Sequence, residues 1–214
     1  MKSILKKTVS FLEKYEIINF SKNNKSLIAM VVLLILGMVL GSLSVHEINL
    51  EILHKIDFLF LNNFKEIIDK PGLDIFISSL SKLFLIILLL EFSALSFWGS
   101  GLIPLIIFFR GFSIGLTTGY LYLIYGLKGI AFYILIMLPG MFIALLSIIL
   151  FSAEAFKFSV KFAKTLFPHV NNNQNLFHNF LNHLKNSKFS LALLPVSAIV
   201  DTCFIAMFSR FFEF

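Results

Sequence analysis

The most constraining feature of this chain is a set of uninterrupted apolar blocks, each about twenty residues long. A bilayer core is about 30 Å thick, and a helix needs about 20 apolar residues to cross it. Residues 27–45, 73–97, 102–125, 130–152 and 189–208 each meet that length. Hydrophobic residues make up 58% of the chain and charged residues only 14%, against about a quarter charged in average soluble domains. An aqueous domain with this many apolar stretches would aggregate. The expected fold class is all-α: an integral membrane bundle of about five transmembrane helices with amphipathic interfacial helices.

The segments between the spans are short or amphipathic. Residues 1–26 form a basic leader in which Leu5, Val9, Leu12 and Tyr15 fall near one helical face, as in a helix lying on the membrane surface. The first span lacks the short apolar core and cleavage site of a signal peptide, so it reads as an uncleaved helix. In the loop at 48–69, Ile52, Ile56, Phe60 and Phe64 recur every four residues between charged positions. This predicts an amphipathic helix that packs on the membrane or receives a partner. Two tight turns, "WGSG" at 98–101 and "GLKG" at 126–129, join the second, third and fourth spans. Pro104 falls in the first turn of the span expected from 102, where proline is tolerated. Pro139-Gly140 predicts a kink in the fourth span. Residues 153–188 read as a polar, basic loop that prolongs the fourth helix along the surface and then passes through the linker "NNNQN".

Lysines and arginines set the orientation. With the amino terminus inside, eleven fall in inner segments and five in outer ones. The expectation is a multi-pass protein of the bacterial cytoplasmic membrane, amino terminus cytoplasmic and carboxyl terminus outside. The net charge of +6 is thereby explained by the lipid surface and does not point to nucleic acid.

Besides Asp74 at the very start of its span, four charges lie within the spans. A charged side chain at mid-bilayer costs about 2.5–3.5 kcal/mol on insertion scales and persists when paired or wet. With the turn between spans two and three centred near 99–100, Glu91 and Arg110 fall at matching depth and are expected to form an intramembrane ion pair. Lys82 and Asp201 are the remaining charges of opposite sign, a candidate second pair that requires spans two and five to be neighbours. Such pairs specify helix register; the sharper alternative is a polar path through Lys82, Arg110 and Asp201. Gly111, Gly115 and Gly119 recur every four residues after Arg110, and Gly37 and Gly41 form a similar pair in the first span. Bare helix faces of this kind let another backbone approach closely, in the same chain or in a second copy that would make a homo-oligomer. Cys203, the only cysteine, reads as a small core residue.

Catalytic patterns are absent. There is no phosphate-binding Gly-rich Lys-Ser/Thr loop and no nucleophile elbow. The five histidines, His46, His54, His169, His178 and His183, show no metal-ligand spacing, and His178 and His183 read as solvated loop residues. No metal or cofactor is expected, and the chain is not expected to be an enzyme.

The stretch "IIFFRGFSIGLTTGYLYLIYGLKGIAFYILIMLPGMFIALLSIILFSAEAFKFS", 106–159, resembles the central region of the stage II sporulation protein M family. The likeness rests on Arg110-Gly111, then Gly115, the turn glycines Gly126 and Gly129, and Leu138-Pro139. What the resemblance implies is a five-span layout and a non-enzymatic role: a membrane scaffold that recruits extracytoplasmic cell-wall (peptidoglycan) hydrolases, as in sporulation engulfment. The alternative is a transport or channel subunit.

Overall fold

The computed structural model describes residues 24–47, 71–96, 98–166 and 176–208. Most of the leader, the segment 48–69 expected to be a helix, with Ile52, Ile56, Phe60 and Phe64, and the linker at 171–175 lie outside the described residues. Within them the chain is helical, with no strand: α1 (Lys25–Ser44), a short 3-10 turn (Val45–Glu47), α2 (Gly72–Ala94), α3 (Gly99–Phe132), a π-helical turn (Tyr133–Met137), α4 (Leu138–Leu166) and α5 (Leu176–Phe208).

Four continuous helical stretches among these are long and apolar enough to cross a membrane. The longest, Gly99–Ala163, has 65 residues. A straight helix of that length would run about 98 Å, three times the bilayer core. It contains two passes, because the helical path breaks at Gly126 (φ 57, ψ −133), a left-handed backbone that glycine adopts without steric cost. After the break the chain folds back on itself. A Cβ on Gly129 would fall against the carbonyl of Leu121, and Arg110 shares a cavity with Ile136, Met137 and Met141. The protein is therefore a multi-pass helical membrane protein. Its outward faces are apolar, with Leu85 65% and Phe92 68% exposed, as helices facing lipid require. Cys203 is exposed and belongs to that outward surface rather than to the core expected for it.

The core runs between the helices as two clusters, a larger one that includes Met30, Leu34, Ile87, Leu90, Ile103, Ile107, Ile148, Phe151 and Leu194 and a smaller one of Val45, Ile114, Tyr120, Leu121, Phe132, Tyr133 and Ile136. Against it α1 and α3 meet backbone to backbone. A Cβ at Gly111 would land on the carbonyl of Leu34, and one at Gly115 on that of Met38. From the other side, Gly37 faces the carbonyl of Phe108 and Gly41 that of Phe112. Gly119 continues the row, where an added Cβ would lie 3.1 Å from Ser42 O. The two glycine rows thus face each other within one chain, each bare face receiving the carbonyls of the other helix.

The fourth and fifth passes pack as a long antiparallel hairpin. α5 has 33 residues, about 50 Å of helix, and it starts well before the apolar block at 189. Its inner face repeats at alternating steps of four and three: His183, Ser187, Ser190, Leu194 and Ser197 are buried, and Asp201 is half-buried. Small residues there let hydroxyls reach across. Ser147 Oγ donates to Ser190 O at 2.7 Å, and Ser197 Oγ donates to Gly140 O at 3.0 Å. Pro139 lacks an N–H and cannot complete a regular helical turn; the wide turn at Tyr133–Met137 precedes it, so the expected kink is a π-turn.

The turn between α2 and α3 differs from expectation. It occupies residues 95–98, closed by Ser96 N to Ser93 O (3.1 Å) and Gly99 N to Ser96 O (3.0 Å). α3 begins at Gly99, which packs against Ser93 O and Ser159 Oγ, and Pro104 consequently lies in the second helical turn. A shift of a few residues in this turn changes the depth of every charge measured from it.

Candidate functional site: two polar sites separated by a dry layer

Glu91 lies about 3 residues before the end of α2, and Arg110 about 11 residues into α3. The two differ by about 8 residues in depth, or about 12 Å. The structure accordingly does not join them. Glu91 Oε2 lies 3.0 Å from His183 Nε2. The His183 side chain is 1% exposed and that of Glu91 23%. His183 stacks on Phe158 at 5.2 Å between centroids and meets Phe151 edge-on at 5.6 Å. Phe180 and Phe162 pack around Phe158 in turn. His183 Nδ1 and Glu91 Oε1 have no hydrogen-bond partner. The histidine expected to be a solvated loop residue is instead the buried partner of the carboxylate expected to neutralise Arg110.

Above this pair, α4 and α5 leave a polar cavity of about 230 Å³, lined by Glu154, Lys157, Phe158, Lys161, Asn182, His183 and Asn186. Lys157 Nζ donates to Glu154 Oε1 at 2.7 Å, and Asn186 Nδ2 donates to Glu154 Oε2 at 3.4 Å. This end of the bundle, which also holds Trp98, is basic and amphipathic.

The second polar site lies toward the Gly126 end. Lys82 from α2, Arg110 from α3 and Asp201 from α5 line one cavity of about 330 Å³ together with Ser79, Phe132, Ile136, Met137, Met141 and Ile205. Asp201 is the carboxylate that acts electrostatically on Arg110, and both Lys82 and Arg110 act on Asp201. Three of the four intramembrane charges are therefore gathered in one place. α2 and α5 are neighbours, as a Lys82–Asp201 approach requires; Gly72 sits 3.8 Å from the Thr202 methyl by the position a Cβ would take. Gly140 makes room for the group, since a Cβ there would coincide with Asp201 Oδ1. Arg110 Nε is buried without a hydrogen-bond partner.

Between the two cavities lies a layer without polar side chains from α2 or α3. Ile87 sits between Lys82 and Glu91, and Ile103 and Ile107 precede Arg110. Ile148 and Phe151 lie between the two lined stretches of α4, and Leu194 does the same on α5. All six are 5% exposed or less. The two cavities share no lining residue. Among the described residues no group of histidine, cysteine or carboxylate side chains is placed to hold a metal ion.

With this arrangement in view, comparison with known families is decisive over most of the chain. The family model of stage II sporulation protein M matches residues 30–205. The chain belongs to that family. The match reaches from α1 through almost all of α5, well past the 106–159 stretch that carries the sequence likeness, so the family body includes both glycine rows and both polar sites. No curated protein and no solved structure matches the chain. Sequence reasoning missed the roles of His183, Gly140 and the buried serines of α5; for His183 and the serines, the alternating four–three spacing from His183 to Asp201 is the signal that places them on one face.

Proposed function

We propose that this protein is a non-enzymatic membrane scaffold that assembles or localises cell-wall remodelling enzymes on the outer side of the cytoplasmic membrane. The observation that carries the reading is the family match across residues 30–205. Two physical features support it. The α1–α3 seam and the core beside it are closely packed, as suits a body that positions partners. The segment with Ile52, Ile56, Phe60 and Phe64 offers an apolar face, and the lysine distribution assigns it to the outside together with the carboxyl terminus. The test is in-cell photo-crosslinking from positions 52, 56, 60 and 64. Capture of a peptidoglycan hydrolase is expected; recovery of lipid alone would overturn the proposal.

A second reading, a transport or channel subunit, is favoured by one observation: Lys82, Arg110 and Asp201 line a single cavity. Single cysteines at these positions, in a Cys203→Ser background because Cys203 is itself exposed, separate the readings. Labelling of all three by a membrane-impermeant thiol reagent supports transport. Protection of all three supports the scaffold.

A further inference from the structure

We propose that the cavity lined by Lys82, Arg110 and Asp201 is a binding site for the anionic phosphodiester headgroup of a membrane lipid. This names a ligand for the cavity on which the second reading rests, and it stands or falls separately from transport.

Charge balance is the first argument. Two cations and one carboxylate leave the cavity with one uncompensated positive charge, in a setting where net charge is costly. One phosphodiester carries one negative charge and completes neutrality; a zwitterionic headgroup adds none. The donors suit the ligand. Arg110 has a buried Nε with no partner, and guanidinium and ammonium groups are the usual phosphate donors. The walls supply the rest of an amphiphile's needs, because Leu83, Phe132, Ile136, Met137, Met141, Ala144 and Ile205 are apolar. At about 30 Å³ per water, about 330 Å³ has room for a phosphodiester and its glycerol flank.

Access is the second argument. Lys82 lines the cavity yet is exposed. Leu85 and Leu89, one and two turns along the same face, are exposed apolar residues of the kind that face acyl chains. The mouth therefore opens beside lipid. On the opposite side lie the buried apolar residues Ile87, Ile107 and Phe151. A site fed laterally from the bilayer selects an amphiphile over a free ion.

The experiment is native mass spectrometry of the full chain in detergent, titrated with phosphatidylglycerol, phosphatidylethanolamine or inorganic phosphate. One retained phosphatidylglycerol is expected, at least tenfold tighter than phosphatidylethanolamine. Lys82→Gln should weaken retention at least tenfold and Lys82→Arg should restore it. Lys128→Gln, an exposed lysine that does not line the cavity, should change nothing. Equal retention of phosphatidylethanolamine, or wild-type retention by Lys82→Gln, would overturn the site. Displacement of the lipid by inorganic phosphate at equal concentration would overturn the lipid source. Retention without flux of the lipid across vesicles upholds the site and removes transport.

Discussion

The α1–α3 seam and the Lys82–Arg110–Asp201 cavity both use glycine to bring groups close, but for opposite ends. At the seam, Gly37, Gly41, Gly111 and Gly115 let main chain touch main chain, and no side chain intervenes. At the cavity, Gly140 admits a carboxylate, and the neighbouring helices stay far enough apart to leave a void. Arg110 and Gly111 are adjacent in sequence, yet one faces the cavity and the other the seam. A single turn of α3 therefore carries both the part of the bundle packed backbone to backbone and the part with room for a ligand.

The largest effect is expected at the seam. Gly111→Leu with Gly115→Leu would drive side chains into the carbonyls of Leu34 and Met38, with no flexible neighbour to yield. Overpacking costs about 1–3 kcal/mol per site, so the double variant should fail to accumulate as folded protein, read by size-exclusion profile in detergent. If it folds with a wild-type melting temperature, the seam is not the rigid half.

The Glu91–His183 pair tests the other end. Removing one partner of a charged hydrogen bond costs about 1.5–3 kcal/mol, and His183→Ala also vacates the stack on Phe158. Its melting temperature should fall more than that of Glu91→Gln, which keeps an acceptor for the ring. Equal losses would mean that the aromatic stack contributes little.

How far these features were legible in the sequence depends on the kind of signal. The passes and the glycine rows follow from length and spacing, which are local properties. The proximity of Lys82 and Asp201 was legible from their opposite signs, but the partner of Glu91 was not, for a definite reason. Depth was counted from a turn centred near 99–100, whereas the turn lies at 95–98, and an error of about 3 residues enters twice with opposite sign in an antiparallel hairpin. His183 was hidden because hydropathy begins the last span at 189, while the helix begins at 176. A polar residue in the extension of a buried helix has no hydropathic mark; only its place in the four–three repeat betrays it.

At the cavity, Gly140→Ala is the sharper probe. The added methyl would coincide with Asp201 Oδ1 and lie 3.0 Å from Asp201 N, so α4 and α5 must part or the carboxylate must turn away. A loss of about 1–3 kcal/mol is expected, accompanied by altered thiol labelling at position 82, since the cavity wall moves. Stability lost without any change at 82 would mean that Asp201 and Lys82 do not share a compartment, and the contrast between a welded seam and an adaptable cavity would weaken.

The smallest effect is expected at Glu154–Lys157. The 2.7 Å contact spans one helical turn, and its side chains are 26% and 37% exposed, so water and salt screen it. Such pairs contribute about 0.2–1 kcal/mol. Glu154→Gln should therefore lower the melting temperature slightly at low ionic strength and not measurably at high ionic strength. A large, salt-independent loss would mean that the cavity of about 230 Å³ beneath this pair is shielded from solvent. The two ends of the bundle would then resemble each other, and the polar pocket above His183 would deserve the same ligand question as the one around Arg110.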